Sequence, residues 1–310
     1  MKFNKIFTLP LKYLFIGIAS MLALAIIFVC CFGFNTSVEF GGGSQIKIDV
    51  TEVVDQSATL KKASAVLSAN KLSVENTFVE DNGTQTYLVF RVTDKNIKNT
   101  DAIKSELSAR CGVSAESIIG FDAVNYTTES STVLLFGLGF VALIVVVFFA
   151  GWARYKLTGA LTLTLATFVD FMLYLSIVAV LRIRISSATL ISLVSSVVLT
   201  TMAIVAVLEN VRGSKKLKQY ENYSNKDMVV HFAQKEFLPF AVICGVVAVF
   251  GVLCLFIPNA YVQTFDFSLI FSAIIALFVS MILGPAFYVY ALDVGDSRKQ
   301  AKLNKNKQKY

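Results

Sequence analysis

Six stretches of the chain stay apolar for about twenty residues or longer, and a block of mixed character separates the first from the second. A bilayer core about 30 Å thick requires about 20 apolar residues in a helix, and the six stretches reach that length. They run over about 13–34, 132–151, 157–181, 186–208, 237–257 and 268–292, the fifth ended by Pro258-Asn259. In the intervening block, 45–54 alternates apolar and polar (Ile46, Ile48, Val50), the period of a strand. Residues 57–70 place Leu60, Ala63, Val66 and Leu67 at helical spacing. Two further strands, 72–79 and 84–93, flank Asp81-Asn82-Gly83, whose Asn-Gly pair is a strong hairpin signal. A second helix spans 100–111 with Thr100 as N-cap and Gly112 as its stop, and a last strand covers 118–124.

The element order in the block is βαββαβ, the split ferredoxin-like unit. The expected fold is therefore a polytopic α-helical membrane protein with six transmembrane helices and one α+β ferredoxin-like (βαββαβ) domain. The divisions are 1–34 (N-terminus and first span), 35–131 (the domain), 132–292 (five further spans, with a basic loop at 209–236) and 293–310 (a basic tail). Composition agrees: of 310 residues 55% are apolar and only 16% charged, against about 45–50% and 25% for soluble domains. A disordered, fibrous or wholly soluble protein is excluded. The first apolar stretch, about 22 residues long behind Lys2, Lys5 and Lys12, exceeds the 7–15 of a signal peptide and reads as a retained anchor.

Charge sets the orientation. With the N-terminus inside, the inner segments hold 17 of the 28 basic residues and six acids, whereas the domain carries nine basic and 13 acidic residues. Basic loops belong on the cytoplasmic side, so N-in, C-in with the domain extracytoplasmic is the expected topology, in a bacterial cell membrane. The net charge of +7 is then explained by an anionic inner leaflet of membrane lipids and requires no nucleic acid.

Candidate chemistry is sparse. One histidine (His231) and five scattered cysteines form no metal-site spacing, and the cysteines read as buried thiols. No nucleophile elbow, acidic metal cluster or phosphate-binding Gly-x-x-x-x-Gly-Lys-Ser/Thr occurs, so no catalytic residue, metal or cofactor is expected, and the chain is not expected to be an enzyme. The exception is Asp170, midway along the third span. An aspartate at that depth costs on the order of 2.5–3.5 kcal/mol and normally faces the bundle interior. It is either an acid that responds to an arriving ion or a neutral group bonded to Thr167 or Tyr174, each one turn away. Glu209 and Arg212, at i,i+3, suit an ion pair at the end of the fourth span. Arg182 and Arg184 suit headgroup or domain contacts.

The glycine triplet in Ser37-Val38-Glu39-Phe40-Gly41-Gly42-Gly43-Ser44 lies between the first span and the first strand. There it resembles the "G-[IV]-D-F-x-G-G-T" element of the SecD and SecF subunits of the bacterial protein-export machinery, with Glu39 in place of Asp. Phe148-Phe149-Ala150-Gly151-Trp152-Ala153-Arg154-Tyr155 is similar to the family's "Y-x-x-x-R-F" junction, Arg154 matching. Val169-Asp170-Phe171 takes the place of SecF's "His-Asp-Val". Glu209 and Arg212 match in charge the end of the family's fourth span, but Met202-Ala203 replaces its intramembrane Asn-Asp and Asn210 its first Arg.

The resemblance covers essentially the whole chain and implies a divergent SecF-like member of the resistance-nodulation-division superfamily. It implies a SecD-like partner subunit, a SecYEG-type channel, a translocating polypeptide as client and the proton or sodium motive force as energy source. It further implies ion-coupling roles for Asp170, Glu209 and Arg212, a hinge at Glu39, Phe40, Gly41, Gly42 and Gly43, and an interface junction at Arg154. Two other readings stay open: a small-molecule or lipid efflux subunit, and a structural assembly subunit without ion coupling.

Overall fold

The computed structural model describes residues 11–307 apart from 52, 54, 82, 95–96, 125–128, 215–216, 218–219, 221–222 and 258–259. Helix α1 (Leu11–Phe32) and the one-turn α2 (Val38–Gly41) lead into strand β1 (Gly43–Asp49). Helix α3 (Gln56–Ala69), strands β2 (Val74–Asp81) and β3 (Thr86–Val92), helix α4 (Thr100–Cys111) and strand β4 (Ile118–Val124) follow. Among the described residues the rest is helical: α5 (Glu129–Val180), α6 (Ser187–Ser214), α7 (Asn225–Leu255), α8 (Ala260–Phe278) and α9 (Gly284–Lys307).

The four strands form one antiparallel sheet in the order β2-β3-β1-β4. Strand alternation puts Ile46 and Ile48 opposite Phe90 and Leu88, and these fully buried side chains meet Ala63, Val66 and Leu67 of α3 and Ile103 and Leu107 of α4. Asp55 starts α3 by accepting from the N–H groups of Ser57 and Ala58 at 3.1 and 3.0 Å. Gly112, in the left-handed conformation, ends α4 as expected. Thr100 is not the cap of α4: the N-cap is Asn99, itself at φ 61°. A left-handed residue turns the chain into the helix one position earlier, so Thr100 becomes its first member.

Among the described residues, five helices are long and apolar enough to cross a membrane. They expose apolar side chains in a way water would not tolerate: Ile16 at 63%, Val146 at 64%, Leu238 at 71%. The apolar part of α5, Phe136–Val180, covers 45 residues, about 67 Å of helix against a core about 30 Å thick. It does not run straight. Lys156 has φ 63° and ψ −175°, breaking the helix into arms 129–155 and 157–180. The arms lie side by side, since the rings of Phe140 and Phe171 stack with centroids 3.6 Å apart, and a Cβ on Gly151 would lie 3.0 Å from the Cα of Ala160.

Two expectations from hydropathy need correction. Helix α7 begins at Asn225, so part of the basic loop expected at 209–236 is helix; its first three turns are polar on one face and carry no signal in an apolar window. Of the five cysteines, all free, Cys244 and Cys254 are buried but Cys30 and Cys31 are exposed and Cys111 half-buried. Few residues of α1 pack on the rest of the chain, Ile18 and Ala25 among them, so its end points its thiols outward.

The sheet is tied to one end of the helices by the turn between α5 and α6. Thr36 pairs with Ile185 as a parallel bridge, Ser37 N–H donates to the Ile185 carbonyl at 2.9 Å and Ile185 N–H to that of Asn35 at 2.8 Å. The Arg182 guanidinium donates to the carbonyls of Phe32 and Gly33 at 2.9 and 2.6 Å. Arg184 lies 3.8 Å from the Glu75 carboxylate of β2, which also accepts the Val38 N–H at 2.5 Å. The Arg184 side chain is thus a domain contact, whereas that of Arg182 holds the end of α1.

The glycine triplet sits inside this joint. Gly42 has φ 70°, and a Cβ on Gly43 would lie 2.2 Å from the Val92 carbonyl oxygen of the neighbouring strand. Gly43→Ala is therefore expected to cost about 1–3 kcal/mol through forced displacement of β1. Chemical denaturation of the full chain in micelles, followed by protease cleavage within the sheet domain, checks this; an unchanged midpoint refutes it.

The Asp55 cap carries a pH dependence. The Ala58 N–H and then the Ser57 hydroxyl hold its carboxyl below the usual aspartate range. A group depressed in the folded chain contributes stability above its unfolded value and loses it as pH falls through the folded one. Amide exchange at Ser57 and Ala58 should be flat from pH 8 to 5, after correction for intrinsic rates, and accelerate below about pH 4. In Asp55→Ala the acid-induced step should vanish.

Candidate functional site

Asp170 lies midway along the second arm of α5, fully buried. Helix periodicity turns it toward α6 and α8, whose polar residues recur every three or four positions. On α6 these are Thr189, Ser192, Ser196 and Thr200; on α8, Ser268 and Ser272; and Ser280 stands in the π turn Val279–Leu283 joining α8 to α9. All seven are buried at 2% exposure or less. Stacked on facing helices, they form a polar seam through an otherwise apolar core.

Its centre is the Asp170 carboxyl. Thr200 Oγ1 donates to Oδ1 at 2.8 Å. Ser196 Oγ, which has one proton, stands 3.1 Å from Asp170 Oδ1 and 3.1 Å from the Ser272 carbonyl oxygen. The other oxygen, Oδ2, is buried with no hydrogen-bond partner among the described residues. An ionised carboxylate with one bare oxygen is costly in such surroundings. A proton or a small cation at Oδ2 removes that cost, which makes this oxygen the point where an ion can act.

The seam continues toward the sheet. Ser192 and Ser268 hydroxyls meet at 3.0 Å. Tyr174, one turn on from Asp170, donates to the Thr189 carbonyl at 3.1 Å, with the Ser268 carbonyl at 3.5 Å. Thr189 Oγ1 donates to the Arg184 carbonyl at 2.7 Å, in the turn that holds the sheet. Tyr174 and Thr167 are thus not the partners of Asp170 that helical proximity suggests. Tyr174 bonds α6 instead, and the Thr167 hydroxyl stands 3.4 Å from that of Thr201.

Glu209 and Arg212 do not converge with Asp170. They meet Arg154 at the opposite end of the helices, beside the break at Lys156. Glu209 Oε1 lies 2.5 Å from Arg154 Nε, 2.8 Å from the Tyr155 hydroxyl and 3.8 Å from Arg212 Nη1. One carboxylate oxygen therefore accepts from two donors of the α5 hairpin and fixes the end of α6 to it, with Arg212 as a more distant charge on α6 itself. Asn210 ties the same end to α7 through Glu236 at 2.8 Å. Of the glycine-rich motif, Phe40 donates its N–H to the Ser37 carbonyl at 3.0 Å. The side chain of Glu39 lies outside the described residues.

The missed members, Ser192, Ser196, Thr200, Ser268 and Ser272, carry a visible signal: hydroxyls at three- and four-residue spacing within apolar spans. Close helix packing explains the same residues, and only the facing Asp170 separates the two readings.

No family model matches the chain, and no curated protein matches it in sequence. Solved structures do. A crystal structure of SecDF in a super-membrane-facing form superimposes with a TM-score of 0.67 at 15% identity, covering 94% of this chain and 39% of that one. SecDF of Thermus thermophilus, described as a translocon-associated membrane protein, gives a TM-score of 0.60 at the same identity and coverage. The chain thus spans about two-fifths of the length of the SecDF chains it matches, and over nearly all of its own length it has their fold.

Proposed function

We propose that the chain is a SecF-like subunit of a Sec-type protein-export machinery, in which ion arrival at Asp170 biases the pose of the sheet domain. The observation that carries this reading is the conjunction of the SecDF fold over 94% of the chain with a fully buried acid on the bundle axis. The two arms of α5 count as separate spans, giving six with α1, α6, α7 and the α8–α9 helix. The sheet, with its helices α3 and α4 on one face, is read as a ferredoxin-like domain on the extracytoplasmic side of a bacterial plasma membrane.

A chain two-fifths the length of SecDF fits one of two six-helix halves, with a SecD-like subunit as the other. A SecYEG-type channel and an emerging polypeptide complete the assembly. The role is mechanical, not enzymatic. The proton or sodium motive force supplies the energy, and two charge states of Asp170 correspond to two arrangements of the turn at 182–185 and of the domain held by it.

Cells carrying Asp170→Asn in place of the natural chain are expected to secrete a reporter protein several-fold more slowly. What remains should no longer respond to collapse of the proton or sodium gradient. Pulse-chase of the reporter with and without an ionophore reads both quantities. Secretion that keeps its rate and gradient dependence in the variant removes the coupling role and leaves a structural subunit. Altered drug sensitivity with normal secretion turns the reading to efflux.

A further inference from the structure

The polar seam is lopsided. From Asp170 toward the sheet it is lined by hydroxyls, Ser192, Ser268, Tyr174 and Thr189, and it ends at the backbone of Arg184 in the surface turn. From Asp170 toward the Lys156 end, the core between the same helices is closed by Ala166, Ile204, Val207, Leu208, Val279 and Leu283, all buried at 3% or less. The cross-helix hydroxyls there end one turn from Asp170, where Thr167 faces Thr201 at 3.4 Å; beyond that pair Thr162 donates to the Thr158 carbonyl and Ser280 to that of Ala276. An ion leaving or reaching Oδ2 in this arrangement has polar company that extends to a surface turn on the sheet side only.

On that side, one large side chain stands across the way. Tyr174 is 1% exposed, lies one helical turn from Asp170 and reaches both α6 and α8 with its hydroxyl. Its ring fills the space between three helices at the level of the Ser192–Ser268 pair, and its hydroxyl bond holds it there. Building on the ion-coupling reading above, we infer that Tyr174 is the gate through which Asp170 exchanges its ion with the side of the membrane that the sheet faces. The residue acts by position. Its ring blocks the seam when the hydroxyl is bonded to Thr189, and swinging the ring aside joins Asp170 to the mouth at Thr189 and Arg184.

The gate is tested by accessibility in the full chain. The five native cysteines are replaced by alanine and a single cysteine is placed by Ser192→Cys, with Ser268→Cys as a second position should the first misfold. Membrane vesicles of either orientation are treated with a membrane-impermeant methanethiosulfonate ammonium reagent, and the rate of modification is read by mass. With Tyr174 present, modification is slow from both faces. Tyr174→Phe keeps the ring and gives up the hydroxyl bond, so modification from the sheet side should rise about tenfold, the worth of one such bond. Tyr174→Ala removes the ring and should raise it further, and neither variant should raise the rate from the opposite side.

Equal rates in all three chains, or a gain from the opposite side, overturn the gate. A nonspecific loosening of the bundle raises both sides together and is therefore distinguished. Failure here with a gradient-blind Asp170→Asn chain in the secretion assay removes the gate alone. Normal secretion by Asp170→Asn removes the coupling on which the gate rests.

Discussion

A carboxyl group sealed among packed helices has to find its hydrogen bonds on those helices, because neither lipid nor water reaches it. Asp170 finds them on α6, and this requirement propagates outward. Thr200 and Ser196 must both point at one oxygen, so the second arm of α5 and α6 are fixed in register to within a fraction of a turn. Ser196 also faces the Ser272 carbonyl, which draws α8 into the same contact. Small hydroxyl residues satisfy the acid and at the same time let three helices approach closely. The polar seam and the tight packing are therefore one device.

Helix α6 inherits a second consequence. One of its ends begins at the turn that clasps the sheet domain, through backbone pairing of Ile185, the Arg182 contacts with the end of α1 and the approach of Arg184 to Glu75. Its other end is held by Glu209 to Arg154 and Tyr155 and by Asn210 to Glu236. The exposed ion pairs at that end are screened and weak individually, yet two donors from α5 on one oxygen define a position. On the proposed reading, a helix pinned at both ends and gripped in the middle is what carries a change at Asp170 to the joint above it.

Much of this architecture is legible in the chain. Apolar length marks the spans, since the bilayer imposes it, and Ile46 and Ile48 announce a strand because one face of the sheet is buried. Gly42 and Gly43 announce a joint, although sequence alone does not show that Gly43 is required by the Val92 carbonyl. The failures have physical causes. The early start of α7 is hidden because a helix projecting beyond the apolar window needs no apolar window. The shift at Thr100 follows from a left-handed Asn99, a local strain that propensity does not register. Helical spacing offers Asp170 partners only within its own helix. Thr167 and Tyr174 share its buried face, but their hydroxyls are turned to α6, at Thr201 and at the Thr189 carbonyl. Sequence distances of 26 and 30 residues separate Asp170 from its real partners, and nothing short of packing the helices reveals them.

The Ser196 hydroxyl faces two acceptors on two neighbouring helices. Its single proton stands 3.1 Å from an α5 carboxyl oxygen and 3.1 Å from an α8 carbonyl. A hydrogen bond to an ionised acceptor is roughly twice as strong as one to a neutral acceptor, so a charged Asp170 holds Ser196 toward α5. Neutralisation at Oδ2 removes that advantage and leaves the Ser272 carbonyl as an equal competitor. The bond can then be made to α8 as readily as to α5 without moving any backbone. The second arm of α5 then stays tied to α6 by Thr200 to Asp170 and, on the sheet side, by Tyr174 to Thr189. On the proposed reading, the charge state of one oxygen thus changes by one the bonds that hold the arm of α5 ending in the domain-bearing turn.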